Sequence, residues 1–288
     1  MDRKQAADSK RIRCSEVCLH PEELLLSTHV CEQFFREKGV WESFRGETVL
    51  DIGCGTGFFT EKIARTAARV LACDISFGNA EACKRLAKTS QVFGLNADAQ
   101  RLPFKADSFD SVFVNSVAEH LDDPELFFDE VRRVLKPGGR FVLSVDITPG
   151  ISWRLYRLTF LFDKMIASNH PMLHRKTELS DPRCPEFLLT DRLLASLERR
   201  FLIEDKERFA GLIFNLLQVS LVITNKFYQI LSGNNFSEDH YANHIPRLNR
   251  PIFRIYRALL PLLCLAAYPR FLTFDAVYYF VRMRKPGS

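Results

Sequence analysis

The sequence predicts an α/β fold with a doubly wound, mostly parallel sheet. Three observations carry this. From residue 48 to 146 short apolar runs alternate with helix-like segments. An apolar run ending at Asp51-Ile52 passes straight into Gly53, Gly55 and Gly57. A β-rich run, Ala276–Arg284, closes the chain. Strands that alternate with helices imply parallel pairing with both sheet faces covered.

The elements follow in order. Residues 16–40 are expected to be helical, with Leu24, Leu25, Thr28, Cys31, Phe34 and Phe35 at helical spacing, Pro21 near the start and Gly39 near the end. This segment would cap the ligand site. Thr48–Ile52 is a strand and Phe58–Ala68 the helix after it. Val70–Cys73 is a second strand ending at Asp74, and Phe77–Ala87 a helix that Ser76 could cap. Gln91–Asn96 and Ser111–Asn115 are the third and fourth strands. Pro124–Leu135 is amphipathic, with Asp123 at the cap and Pro124 in the first turn. Lys136-Pro137-Gly138-Gly139 ends it, and Arg140–Asp146 is a fifth strand. Asp191–Arg200 and Phe201–Phe209 supply a helix and a sixth strand, and Ala276–Arg284 makes a seventh.

Composition narrows the class. With 288 residues the chain can bury a sizeable core, and one domain with insertions is expected. An apolar content of 47% excludes disorder. A formal charge of +5 is too mild to imply nucleic acid by itself. The eight cysteines contain no C-x-x-C pair, and Cys54 and Cys73 fall in core elements, so reduced thiols in a cytoplasmic protein are expected. Cys14 and Cys18, with His20, His29 and Cys31 nearby, match no zinc spacing. Met1–Arg13 is polar, without an apolar signal segment, and is expected to be a loose basic arm.

The glycine spacing separates nucleotide classes. A dinucleotide loop runs G-x-G-x-x-G. Here the third glycine comes one place early and Phe58 stands at the dinucleotide position. No Gly-Lys-Ser/Thr follows, which removes a nucleoside-triphosphate loop. The pattern Asp51-x-Gly53-x-Gly55-x-Gly57 resembles the first motif of class I S-adenosylmethionine-dependent methyltransferases, and the resemblance extends over roughly residues 46–146. It implies a seven-stranded Rossmann-like sheet whose last strand is antiparallel and inserts beside the sixth. Residues 1–45 would then be arm and helical cap, and 46–288 the methyltransferase domain, with a helical insertion over about 210–272.

The same resemblance implies roles. Gly53, Gly55 and Gly57 admit the methionyl and ribose portions of S-adenosylmethionine. Asp51 faces the cofactor's ammonium, and Asp74 accepts from the ribose hydroxyls. Asp98 lies against the adenine amine, with Ala99 at a backbone contact and Asn115 among the cofactor contacts. Phe104 is expected in the core and Asp110 in a structural role. Methyl transfer needs a base only where the acceptor loses a proton. His120, just past the fourth strand, is the candidate base, a structural histidine being the competing reading. Glu119-His120 resembles the end of a Glu-x-x-Glu-His metal motif, but Ser116 replaces the first glutamate, so no metal is expected.

The acceptor must be read from the apolar region after residue 210. Asn215, Gln218 and Ser220 interrupt it, which argues against a spanning helix. Arg247, Arg250, Arg254 and Arg257 recur at helical spacing, and Leu259–Leu265 is nearly all apolar around Pro261. Such a segment can lie on an anionic membrane, form a greasy lid, or pack as a helical subdomain with a solvated arginine face. Phe160, Phe162, Phe214 and Phe227, among 25 phenylalanines, either line an acceptor pocket or fill the core. The function expected is methyl transfer to a hydrophobic or lipid-like small molecule, at oxygen, in the cytoplasm or at a membrane surface. A nucleic-acid or protein methyltransferase, and a cofactor-binding partner without catalysis, remain the alternatives.

Overall fold

The computed structural model describes residues 21–76, 78, 91–121, 123–146, 191–210, 214 and 278–287. Seven strands form one sheet: β1 Thr48–Ile52, β2 Arg69–Asp74, β3 Val92–Asn96, β4 Phe109–Asn115, β5 Leu135–Asp146, β6 Leu202–Phe209 and β7 Tyr278–Arg284. Their spatial order is β3-β2-β1-β4-β5-β7-β6. The first five are parallel to their neighbours, while β7 inserts antiparallel between β5 and β6. The doubly wound sheet with an antiparallel last strand is thus the one expected from the sequence.

Five helices accompany the sheet among the described residues: α1 Pro21–Glu37, α2 Val40–Ser43, α3 Phe58–Ala64, α4 Pro124–Val134 and α5 Asp191–Glu198. Strand alternation sorts the side chains into two cores. Val49, Val70, Ala72, Phe113, Val142 and Phe280 point to one face, where Ile63 and Ala64 of α3 and Phe34 and Phe35 of α1 cover them. Leu50, Val112, Val114, Leu143 and Val281 point to the other, beneath Phe127, Phe128 and Val131 of α4 and Leu193 and Leu197 of α5.

The helix anticipated over residues 16–40 is therefore an integral layer of the sheet. Phe34 stacks on Phe209 with ring centroids 4.0 Å apart, and Phe35 meets Phe113 edge-on at 5.4 Å. Burying a ring of this size contributes about 1.5–3 kcal/mol. Just after α1, Lys38 is held by Asp205 at 2.9 Å and Glu207 at 2.6 Å on β6. These contacts place residues 30–44 in the same core as the strands.

Most bounds differ from expectation by a few residues, and two of the differences have a clear physical cause. α3 stops at Ala64, four residues short of Ala68, because Arg65, Thr66 and Ala67 turn back with backbone bonds to Lys62 and Ile63. At the other, α4 leads directly into β5 at Leu135 without an intervening loop. Lys136-Pro137-Gly138-Gly139, expected as the terminating turn, instead form an irregularity inside β5: Leu135 pairs with Phe109, and pairing resumes at Arg140 with Ser111. A Cβ on Gly139 would lie 2.8 Å from the Lys136 carbonyl oxygen and 3.0 Å from that of Asp110, so only glycine fits the kink.

Asp123 caps α4 as expected, its Oδ1 accepting from the Leu126 amide at 3.1 Å, with Pro124 in the first turn. Phe104 is half-buried against the second core and meets Phe109 edge-on at 5.0 Å. Asp110 accepts from the Thr48 amide at 2.9 Å and from Lys136 Nζ at 2.6 Å. Partial burial works against its ionisation, yet these two donors hold the carboxyl below the usual range. The Phe77–Ala87 helix, the 210–272 insertion (Phe214 apart), the arginine helix, Phe160, Phe162, Phe227 and Met1–Arg13 with Cys14 and Cys18 lie outside the described residues.

Strand order decides where a site can form. From β1 the chain steps outward through β2 to β3, then returns to β4 on the opposite side of β1. The carboxyl ends of β1 and β4 are left side by side at this switch point, where open α/β sheets bind ligands.

Candidate functional site

Asp51 sits on the same face as Val49, near the end of β1, and only 2% of it is exposed. The chain then turns through Gly53–Gly57 and comes back as α3, which brings Thr60 over the strand. The Thr60 hydroxyl donates to Asp51 Oδ2 at 2.5 Å. Burial pushes the Asp51 carboxyl up to about 7; the Thr60 bond opposes this and the nearby Asp74 carboxylate adds to it.

Asp74 ends β2 on the same sheet face and is itself buried. It organises the turn: the Gly55 amide donates to Asp74 Oδ2 at 3.0 Å and the Ser76 amide to Oδ1 at 2.8 Å. One residue earlier, the Cys73 carbonyl accepts from the Gly53 amide at 2.7 Å and the Cys54 amide at 3.1 Å. Cys31, Cys54 and Cys73 are buried, and burial beside Asp51 and Asp74 pushes the Cys73 thiol far up, which keeps it protonated.

The glycines are not equivalent. Gly55 has φ +51, and a Cβ there would meet none of the described residues within 4 Å. Gly53 has φ +71, but its missing Cβ is taken by the protein: Val117 Cγ2 would lie 2.2 Å from it. Gly57, also left-handed at φ +92, is the cap position of α3.

At the next strand end, Asn96 Nδ2 donates to the carbonyls of Asp74 and Ile75 at 3.1 and 2.7 Å. Asp98 closes a tight turn by accepting from the Gln100 amide at 3.0 Å and is half-buried; Ala99 beside it is buried. Ile75, absent from the sequence-based set, lies between these groups with 41% of its surface exposed. An exposed branched apolar side chain following the acid offers a flat ring something to lie on. Its only sequence signal is its place directly after Asp74.

Beyond β4, Asn115 shares the face of Phe113 by strand alternation. Its Oδ1 is buried and accepts no hydrogen bond from the described residues, while Nδ2 lies 3.5 Å from Ser116 Oγ. Ser116 adopts φ +53, and a 3-10 turn of Ala118–His120 follows. Glu119 is buried in that turn and His120 is exposed. Across the turn, His29 of α1 places its ring 5.6 Å from that of Phe58, the first residue of α3. Thus Asp51, Asp74, Asn115 and the glycine turn gather at one edge, with Asp98–Ala99 on the adjoining strand end and His120 on its rim. Among the described residues no cluster of His, Cys, Asp and Glu is arranged to hold a metal.

The arrangement suits a ligand that is cationic at one end. Two buried acids, Asp51 and Asp74, lie at one edge of the sheet, and the raised carboxyl of Asp51 would gain from a positive partner. Residues 50–143 match the family described as methyltransferase domain. That stretch is similar to a methyltransferase domain over about a third of the chain. Curated relatives match over stretches of similar length. A demethylmenaquinone methyltransferase from Clavibacter sepedonicus is 41% identical over 107 residues, which cover 37% of this chain and 44% of that protein. A ubiquinone biosynthesis O-methyltransferase from Brucella anthropi is 36% identical over 125 residues, covering 41% and 49%. The chain thus spans about half the length of the curated relatives it matches.

Solved structures extend the likeness to most of the chain, as fold alone. The cyclase SpnF superposes with a TM-score of 0.55 at 20% identity, over 88% of this chain and 81% of that one. Haemonchus contortus phosphoethanolamine N-methyltransferase 2, in complex with S-adenosyl-L-methionine, gives 0.53 at 17% identity, over 90% and 56%. A cyclase and a methyltransferase on one fold mean that the reaction must be argued from the site.

Proposed function

We propose that this chain is an S-adenosylmethionine-dependent methyltransferase acting on a hydrophobic, quinone-like or lipid-like small molecule, at oxygen. The observation that carries the reading is the pair of buried acids, Asp51 and Asp74, beneath a glycine turn where a Cβ on Gly55 would meet none of the described residues. Asp51 would hold the cofactor's ammonium, aided by the orphaned Asn115 Oδ1. Asp74 would accept from the ribose hydroxyls through lone pairs left by its two amide donors. Ile75, Asp98 and Ala99 would receive the adenine.

The cofactor, when bound, supplies an already activated methyl group on a sulfonium. The chain's residues then need mainly to align the acceptor, exclude water and manage one proton. Where the acceptor is a hydroxyl, its proton would pass to the His120 imidazole as the new carbon–oxygen bond forms. Tyr278 stacks on Phe209 at 5.2 Å and meets Phe214 at 5.9 Å, and all three are buried, so Phe214 fills the core. The relatives named for demethylmenaquinone and ubiquinone biosynthesis support the same acceptor class.

Among the described residues no helix is long and apolar enough to cross a membrane. Contact with a membrane surface in the cytoplasm would run through Arg247, Arg250, Arg254 and Arg257, and anionic vesicles test it by co-sedimentation. The whole reading is tested by incubating the purified chain with methyl-labelled S-adenosylmethionine and a fractionated cell extract. Label should enter the lipid-soluble fraction. Label in RNA or protein instead, or in no fraction, would overturn it.

A further inference from the structure

The glycine turn and the turn after β4 are locked together by one contact. A Cβ built on Gly53 would meet Val117 Cγ2 at 2.2 Å, Cβ at 3.4 Å and Cγ1 at 3.5 Å, so the Val117 side chain straddles the bare α-carbon. Both partners are held from behind. The Gly53 amide is bonded to the Cys73 carbonyl at 2.7 Å. Val117 follows Ser116, whose left-handed backbone is held by its amide bond to the Ser144 carbonyl at 2.9 Å on β5. Ahead of it, Ala118 is fully buried and the His120 amide returns to the Val117 carbonyl at 2.9 Å. A β-branched side chain is stiff at χ1, which makes it a good wedge.

We propose that Val117 is a positioning residue: it registers the turn bearing Glu119 and His120 against the glycine turn, and so sets the acceptor's approach to the methyl donor. The proposal rests on the methyl-transfer reading and goes beyond it, because Val117 itself need touch neither ligand. In-line displacement is sensitive to placement, and an error of about 1 Å can cost about a hundredfold in rate. Shortening the wedge frees the acceptor turn to settle on the glycine turn at a different height while leaving Asp51 and Asp74 in place.

The test measures S-adenosylhomocysteine binding by calorimetry, and kcat and acceptor KM with the acceptor found by labelling. Val117→Ala should bind S-adenosylhomocysteine within about threefold of the wild type yet lose about tenfold or more in kcat. Val117→Thr, which keeps the branched shape, should restore most of that loss. Gly53→Ala should bind poorly, and Gly53→Ala combined with Val117→Ala should recover part of both binding and thermal stability, because the second change removes the clash. Unchanged kcat in Val117→Ala, or a double variant no better than Gly53→Ala, would overturn the proposal while leaving the donor reading intact. A wild-type chain that does not bind S-adenosylhomocysteine would overturn both.

Discussion

The Thr60 hydroxyl donates to the buried Asp51 carboxylate, joining the first turn of α3 to the end of β1 across the glycine turn. It opposes the burial that pushes Asp51 up to about 7. Asp51 is therefore poised to ionise when a cation arrives.

Cofactor affinity should depend on pH. A protonated Asp51 cannot pair with an ammonium, so S-adenosylhomocysteine binding should weaken as pH falls below about 7, by up to about tenfold per unit. Thr60→Val removes a bond that favours the carboxylate, and the midpoint should move to higher pH. Calorimetry from pH 5.5 to 8.5 reads both; an affinity that stays flat across this range would contradict the assignment.

Stability should carry the opposite signature. The folded carboxyl of Asp51 lies above its unfolded value of 3.8, so the folded state holds the proton more tightly. Its stabilising effect is complete below about pH 4 and is lost as pH rises through about 7, a change on the order of 4 kcal/mol. Asp51→Asn should therefore melt at higher temperature than the wild type at pH 8 and near the wild-type temperature at pH 4.5. A difference in Tm that does not change with pH would count against a buried, uncompensated carboxyl.

Asp74→Ala should cost more than a ribose contact. It removes the acceptor for the Gly55 and Ser76 amides as well. Charge-assisted hydrogen bonds are worth about 1.5–3 kcal/mol each, so binding of S-adenosylhomocysteine should fall by about a hundredfold. Affinity kept near the wild-type value would remove Asp74 from the site.

His120→Ala should separate chemistry from binding. The ring is exposed on the rim, so the fold and the cofactor contacts should survive. Loss of a general base lowers turnover by roughly a hundredfold to ten-thousandfold. Equal turnover in variant and wild type would return His120 to a structural role.

Much of this molecule is legible in its residue order. β1, β2 and β4 are apolar runs that could only be central strands, and their bounds were readable to within a residue or two. The glycine spacing and Asp74 point to a ligand edge without any knowledge of the strand order. The bulge at Lys136–Gly139 was not legible, because a Pro-Gly-Gly run reads as a turn unless a neighbouring strand captures it. The aromatic layer of α1 was visible as helical spacing, but its partners Phe113, Phe209 and Phe280 come from strands distant in sequence.

The sequence by itself determined the strand-to-helix rhythm, the turn at Asp51–Gly57 and the acids placed at strand ends. These are local: they follow from side-chain periodicity and from backbone angles that glycine accepts. Only the tertiary structure decided what those residues face. It put Val117 on Gly53, left the space at Gly55 unfilled by the described residues, and buried Asp51, with Asp74 nearby, so that its carboxyl rises to about 7. The reason is physical: burial and charge coupling act through space, between strands that pair in an order the chain does not follow.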